Sequence, residues 1–111
     1  MKSYTNISQS KKLAEFLPLE SADNYYSWHD ERYYVVNKDC PYPYSLKEKI
    51  PCWSLAALLE IIPKPDLVQN SEGAWLVHSW VNAYPWSVGG CSNPVDACVA
   101  MIIKLHELNL L

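Results

Sequence analysis

The fold of this chain is decided by the stretch Ser92-Asn93-Pro94-Val95-Asp96-Ala97-Cys98-Val99-Ala100-Met101-Ile102-Ile103-Lys104-Leu105-His106. It opens with a helix start signal, because Asn93 is a strong N-cap, Pro94 suits the first helical position and Asp96 faces the positive end of the helix dipole. The predicted helix spans about Pro94 to Asn109. Its polar arc is narrow and consists of Asp96, Ala100, Lys104 and Glu107. Such a helix must be covered on more than one side, by a second helix and a sheet, so the chain predicts a packed core.

Length and composition predict one domain covering residues 1–111. A chain of 111 residues buries enough surface for an independent core, and 50% hydrophobic against 19% charged residues is a globular composition. The aromatic side chains are five Trp, eight Tyr and one Phe. Because Tyr and Trp carry a polar tip, they favour half-buried positions and interfaces over deep cores.

Two further helices are predicted nearer the N-terminus. The first runs from about Asn6 to Leu17, is amphipathic, and ends at Pro18. The second begins at Ser54, a suitable N-cap, and ends before Pro63. Its sequence is almost entirely apolar, so we expect most of it to be buried.

Three segments are predicted to form strands. Trp75–Val81 is β-branched and aromatic, Trp86–Val88 is expected to return antiparallel to it, and Arg32–Val36 is the third. We expect Gly89-Gly90 to end the last strand, and residues 39–51 and 63–73 to form loops. The predicted fold class is therefore α+β: about three helices packed on a small antiparallel sheet, as a single pair of layers.

Charge and hydropathy exclude several classes of partner. The basic residues form no cluster beyond Lys11-Lys12, so we expect no nucleic-acid binding. No apolar run approaches the ~20 residues of a membrane span, and the polar N-terminus lacks a secretory signal. We therefore expect a cytoplasmic protein with no membrane contact. Its cysteines would be reduced thiols there, and their spacing matches no zinc motif. The four cysteines are Cys40, Cys52, Cys91 and Cys98.

Three blocks are distinctive as a set: LPLESAD at residues 17–23, PCWSLAALL at residues 51–59 and NPVDA at residues 93–97. With them, in this order, the chain resembles a group of small proteins of prophages and other mobile elements of gut anaerobic bacteria. The resemblance implies a bacterial, phage-linked cytoplasmic protein. It transfers no activity and no catalytic residue, and residues 24–49 lie between the blocks that carry it.

Signals for chemistry are weak, and they favour a non-enzymatic protein without a cofactor. His29 with Asp30 and Glu31 is the densest group of metal-ligand types, but its spacing supports no site. Cys91 stands just before the helix at Pro94, where the dipole would lower its thiol pKa, and His78 is a potential base. The alternative function is a small enzyme or a sugar- or peptide-binding protein, with its site in the aromatic region near Cys91 and His78. The chain has no glycine-rich phosphate loop.

The strongest functional signal is a concentration of tyrosine and tryptophan in twenty residues: Tyr25, Tyr26, Trp28, Tyr33, Tyr34, Tyr42 and Tyr44. Because a domain of this size cannot bury seven such rings, we expect some to form an exposed patch, which is typical of a binding surface. The alternative is that the rings only cover a small sheet. Trp80, Tyr84 and Trp86 are expected to extend the surface. The sequence thus predicts a protein-interaction module that binds a protein partner or a second copy of itself.

Overall fold

The structure, a computed structural model, describes residues 2–29, 31–39 and 50–111. In these ranges the chain also forms a short 3₁₀ turn at Leu19–Ser21. The helices and strands follow in the order α1 (Ile7–Ala14), β1 (Asn24–His29), β2 (Arg32–Asn37), β3 (Ile50–Cys52), α2 (Leu55–Ile61), β4 (Asp66–Gln69), β5 (Trp75–Val81), β6 (Tyr84–Cys91) and α3 (Pro94–Glu107). None of the helices in the described ranges combines the length and the apolar character that crossing a bilayer demands.

The strands form two antiparallel sheets of three strands each. Sheet 1 has the order β2-β1-β3, and sheet 2 has the order β4-β5-β6. The predicted α+β class is confirmed, with helices and antiparallel strands in one small fold. The expected single sheet is instead divided into two, because β3 pairs back onto β1 while β4 begins a separate meander with β5 and β6.

Side-chain caps set the start of each α-helix, and those at Ser54 and Asn93 are the ones that the sequence predicts. Asn6 and Gln9 form a capping box at α1. The Ser54 hydroxyl accepts a hydrogen bond from the Ala57 backbone N–H at 3.2 Å, and the Asn93 side chain accepts one from the Asp96 backbone N–H at 2.9 Å. Each cap satisfies a backbone donor that the first helical turn leaves without an intrahelical partner.

Helix α3 lies at the centre of the packing. One side of α3 packs against α1 and α2, and another packs against β5 and β6, as the narrow polar arc of this helix predicts. Eight of its side chains are buried: Pro94, Val95, Ala97, Cys98, Val99, Met101, Ile102 and Leu105. Burial of a Val, Leu, Ile or Met side chain stabilises the fold by roughly 1.5–3 kcal/mol, so this helix supplies much of the hydrophobic free energy.

Sheet 2 covers α3 with one of its two faces. Val77 of β5 faces the core with no exposed surface, and so does Ser79, whose hydroxyl donates to the Pro63 carbonyl at 2.5 Å. On β6, Val88 pairs with Val77 and Cys91 pairs with Trp75, so three steps on β6 match two steps on β5. This mismatch is a β-bulge, and it falls at Gly89-Gly90.

Sheet 1 joins the rest of the fold through the N-terminal segment. The Thr5 backbone N–H donates to the Trp53 carbonyl at 3.0 Å, and the Trp53 N–H donates to the Thr5 hydroxyl at 3.2 Å. Trp53 has no exposed surface, and its indole N–H donates to the Ser21 hydroxyl at 3.0 Å. Trp53, which follows β3, is therefore part of the hydrophobic core. The described side chains of β1 and β2 do not belong to that cluster, although Tyr25 and Ser27 of β1 are buried.

Several segments differ from the sequence predictions. Residues 39–51 and 63–73 were expected to be loops, but Ile50–Cys52 and Asp66–Gln69 form strands β3 and β4. Strand β6 continues through Gly89-Gly90 to Cys91 instead of ending there. Strands β3 and β4 are short and contain or adjoin proline, so they depend on pairing with β1 and β5 and carry little local signal of their own.

Gly90 and Ala83 provide a test of the backbone conformation of β6. Gly90 has a φ of +79° with no atom near the position of an added Cβ, and Ala83 has a φ of +67° in the two-residue turn between β5 and β6. We expect Gly90→Ala to lower the free energy of unfolding by about 1–2 kcal/mol and Ala83→Gly to raise it by up to about 1 kcal/mol. Urea unfolding measures both changes. If both variants unfolded at the same urea concentration as wild type, the positive φ angles assigned to Gly90 and Ala83 would be contradicted.

Asp96 provides a test by pH. Burial would raise the pKa of this carboxyl, but hydrogen bonds from Lys2, Gln9 and Asn93 and the Lys2 charge outweigh burial and hold the pKa below 3.8. Because the pKa is depressed in the folded state, the carboxylate stabilises the fold above the unfolded value of 3.8, and this stability is lost as pH falls through the lower folded value.

Asp96→Asn should therefore lower the free energy of unfolding by about 1–2 kcal/mol at about pH 6, and the difference from wild type should shrink toward about pH 2. Urea unfolding across this range measures it, with the exposed Glu107→Gln as the matched control. A deficit that stays constant with pH would show that the carboxylate charge is not the source of the stability.

Candidate functional site

Three of the predicted aromatic residues lie together on one face of sheet 1. In the pairing of β1 with β2, Tyr26 is opposite Val35 and Trp28 is opposite Tyr33. Directly paired residues share a face of an antiparallel sheet, and alternate residues along a strand return to that face. We call the surface formed by Tyr26, Trp28, Tyr33 and Val35 the aromatic face.

The rings of the aromatic face pack edge to face. The Trp28 and Tyr33 centroids are 4.8 Å apart with an interplanar angle of 69°, and those of Tyr26 and Tyr33 are 6.3 Å apart at 83°. Perpendicular arrangements of this kind are favoured by the ring quadrupoles. Trp28 remains 43% exposed and Val35 37% exposed. The rings are thus ordered against one another; Trp28 keeps a large exposed surface, whereas Tyr26 and Tyr33 are half-buried.

Tyr26 fixes the aromatic face to the core. Its hydroxyl donates to the Thr5 carbonyl at 2.5 Å. Burial and the neighbouring Cys52 thiol raise the pKa of Tyr26 to about 12, so the phenol stays protonated and keeps donating at neutral pH. The inner end of the face is therefore rigid, and its outer end, at Trp28, lies away from this anchor.

The aromatic face is electrically neutral in the described part of sheet 1. The pairing places Asn24, Asn37, Ile50 and Cys52 on the same face as its rings. Asn24, Asn37 and Ile50 have no ionisable group. Burial raises the thiol pKa of Cys52, so this thiol is uncharged at neutral pH. Arg32, which carries a positive charge and pairs with His29, lies on the opposite face of the sheet.

The remaining predicted aromatic residues are divided between other positions. Tyr25 and Tyr34 lie on the opposite face of sheet 1; Tyr25 is only 8% exposed, whereas Tyr34 is exposed. Tyr42 and Tyr44 lie outside the described residues, as do Asp30, Cys40 and the side chain of His29. Because Tyr25 is buried, it does not belong to an exposed aromatic patch.

Trp80, Tyr84 and Trp86 belong to sheet 2 and do not extend the aromatic face. Trp86 packs against the core, and the Lys104 ammonium lies 5.7 Å from its ring centroid. Trp80 is half-exposed on the outer face of sheet 2, and Tyr84 is exposed at the start of β6.

The structure does not bring Cys91 and His78 together. His78 pairs with Ser87 on the outer face of sheet 2, where its Nδ1 lies 2.6 Å from the Ser87 hydroxyl, whereas Cys91 packs against the core. The dipole of α3 was expected to lower the thiol pKa of Cys91. Burial and the negative charge of Asp96 raise it instead, so little thiolate is present at neutral pH. The arrangement therefore gives no support to a cysteine nucleophile at this position.

Two concavities in the described part flank α2 and sheet 1. The larger, about 330 Å³, is lined by Glu20, Asp23, Lys38 and Glu60 together with small residues of α2. The Asp23 carboxylate is already engaged, since it accepts hydrogen bonds from the backbone N–H and the hydroxyl of Ser54. The smaller, about 250 Å³, is mostly apolar. Neither brings a thiol or an imidazole to a converging polar site of the kind that catalysis needs.

Comparison with known proteins gives no match: no family model fits the sequence, and no curated protein or solved structure is similar to it. Among the described residues, no three His, Cys, Asp or Glu side chains come together as metal ligands.

The sequence predicts the aromatic residues of this surface but not their arrangement, because strand β1 is not among the predicted strands. The two-residue spacing of Tyr26 and Trp28 is the one local signal for it, and the connection to Arg32–Val36 is short enough for a hairpin. The separation of Tyr25 from Tyr26 follows once both are placed on one strand, since neighbours on a strand point to opposite faces.

The contribution of the aromatic face to stability is tested by comparing two tryptophans. Trp28→Ala removes a ring that is 43% exposed, so we expect it to cost about 1 kcal/mol or less, whereas Trp53→Ala removes a ring with no exposed surface and should cost about 3–5 kcal/mol. Urea unfolding followed by far-UV circular dichroism measures both. A loss at Trp28 as large as that at Trp53 would assign Trp28 to the core and not to a contact surface.

Proposed function

We propose that this chain is a protein-interaction module and that the aromatic face of sheet 1 is its contact surface. The observation that carries the proposal is the position of Trp28. Its ring is held edge to face by Tyr33, is 43% exposed, and lies on the sheet face whose inner end is anchored through Tyr26. Ordered and exposed tryptophan and tyrosine side chains are enriched among the residues that dominate binding energy at protein interfaces.

Rigidity supports this function. A side chain that is already held by its neighbours loses little conformational freedom when a partner covers it, so more of the contact energy appears as affinity. Trp28 and Tyr33 restrain each other, and Tyr26 is tied to Thr5 by its hydroxyl. The aromatic face is thus preorganised for binding.

The neutral character of the face favours a protein over a nucleic acid. Phosphate-backbone binding requires clustered Lys and Arg side chains, and the register places none on the described part of this face. A protein interface with an aromatic centre and a polar rim fits better, with Asn24 and Asn37 supplying the rim. The partner is a different protein or a second copy of this chain.

We also propose a bacterial, phage-linked and cytoplasmic setting for this module. The blocks at residues 17–23, 51–59 and 93–97 support the first two, through their resemblance to prophage and mobile-element proteins. Support for the cytoplasm comes from Cys52, Cys91 and Cys98, which are free thiols in the structure, as is usual in a reducing compartment.

The test compares wild type with two variants, each of which lacks exposed aromatic side chains on a different sheet. Wild type, Trp28→Ala/Tyr33→Ala and the control Trp80→Ala are immobilised separately and exposed to a bacterial lysate, and the native mass of each purified form is measured. Trp80 is a matched control because it is a half-exposed tryptophan on the other sheet.

We expect a partner, or a dimer, that wild type and Trp80→Ala share. Loss of a binding centre worth at least about 2 kcal/mol should weaken that association by about thirtyfold in the double variant. Captured proteins and native masses that are identical in all three forms would contradict the proposed contact surface.

A further inference from the structure

Three of the four edge strands in the described ranges carry features that discourage pairing with another chain. Strand β3 has only three residues and contains Pro51, and β4 has only four residues. Strand β6 is longer, but it contains Pro85 and the bulge at Gly89-Gly90. Short length, proline and bulges are the means by which natural sheets protect their edges.

Strand β2 is the described edge strand that lacks this protection. Its six residues, Arg32–Asn37, include no proline, and its pairing with β1 has no shift of register. In the described part of the chain, no strand pairs with its other edge. Tyr34 is 45% exposed on one face of the strand and Val35 is 37% exposed on the other, so β2 is accessible from both faces. An open edge of aromatic and β-branched residues is a template for a further strand.

The sequence of β2 is suited to antiparallel pairing with a second β2. A two-fold axis that is perpendicular to the sheet and passes through Tyr34 places Tyr34 opposite Tyr34 of the second copy. The same axis places Tyr33 opposite Val35 of the second copy, and both of these side chains belong to the aromatic face. Pairs of two aromatic side chains, or of an aromatic and a β-branched side chain, stabilise antiparallel strands.

Charge favours this register over the neighbouring ones. With the axis at Tyr34, Arg32 lies opposite the uncharged Val36 of the second copy. An axis at Val35 would instead place Arg32 opposite Lys38, and the symmetry would repeat this pair of like charges, which is destabilising. Moving the axis toward Arg32 would shorten the overlap of the two strands. The pattern of β2 is therefore self-complementary about Tyr34.

We propose that β2 pairs with β2 of a second copy of this chain, antiparallel about Tyr34, so that the two copies of sheet 1 form one continuous sheet. This inference rests on the proposed function, because it names a second copy as the partner and the β2 edge of the aromatic face as the place of contact. The axis is perpendicular to the sheet, so both aromatic faces lie on the same side of the joined sheet. They meet where Tyr33 of one copy is opposite Val35 of the other.

The experiment measures the dissociation constant of the dimer by analytical ultracentrifugation for wild type, Tyr34→Lys, Tyr34→Glu and the control Tyr84→Lys. Because Tyr34 lies on the axis, each introduced charge directly opposes its own copy. Tyr34 is on the sheet face opposite to the aromatic face, so both substitutions leave the aromatic face unchanged. Tyr84 is a matched control because it is an exposed tyrosine on an edge strand of the other sheet. Circular dichroism checks that each variant is folded.

We expect wild type and Tyr84→Lys to form dimers of equal strength. Tyr34→Lys and Tyr34→Glu should each weaken the dimer by about tenfold, because like charges replace a favourable pair. An equimolar mixture of these two variants should regain a dimer of about wild-type strength, since opposite charges then face each other across the axis. The proposal is overturned if wild type is monomeric at every concentration, if neither charge weakens the dimer, or if the mixture does not regain it.

Two results separate this proposal from the proposed function. A monomeric wild type that captures a protein, and loses it in Trp28→Ala/Tyr33→Ala, would retain the aromatic face as a contact surface and refute the pairing of β2. A dimer that Tyr34→Lys weakens but Trp28→Ala/Tyr33→Ala does not, with no other protein captured, would support the pairing of β2. It would also show that the rings of the aromatic face do not supply the binding energy.

Discussion

The fold depends on the burial of one helix, α3. Its sequence leaves only a narrow polar arc, so water must be excluded from most of its circumference, and no single neighbour can do this. The chain meets the requirement with α1 and α2 on one side and sheet 2 on the other. The N-terminal cap at Asn93 and the carboxylate of Asp96, which also accepts a hydrogen bond from Lys2, fix where this helix begins.

This arrangement gives the two sheets different roles. Sheet 2 uses one face to cover α3, so its position is set by core packing. Sheet 1 is joined through Trp53 and the Thr5 segment, and the described side chains of β1 and β2 do not belong to the buried cluster around α3. The rings of Tyr26, Trp28 and Tyr33 therefore pack on one another, with Tyr26 tied to Thr5 at the inner end, which leaves them ordered and partly exposed. That separation between core and contact surface is the physical basis of the proposed function.

The sequence predicts those features that depend on local chemistry. The caps Ser54 and Asn93, the apolar α3 and the strand Trp75–Val81 are all recognisable without knowledge of the fold. The division into two sheets is not, because it depends on which strand pairs with which. Strand β3 contains Pro51 and has only three residues, so it exists through its pairing with β1.

The candidate site is predictable to a similar extent. Composition identifies the region rich in tyrosine and tryptophan, but only the register of β1 with β2 shows that Tyr25 is buried while Tyr26 shares a face with Trp28 and Tyr33. The orientation of Cys91 is harder still, since two glycines shift the alternation by one residue. A one-residue change of register exchanges the two faces of a strand, and composition carries no information about it.

Native-state hydrogen exchange read by mass spectrometry distinguishes a fold built around α3 from one built around sheet 1, because it ranks segments by the free energy needed to open them. We expect amides in residues 97–105 of α3 to exchange only through global unfolding, with the free energy obtained from urea denaturation. Amides of β2, residues 32–37, should exchange through smaller openings. Faster exchange in α3 than in β2 would contradict the claim that the fold is built around the buried helix, with the aromatic face outside its core.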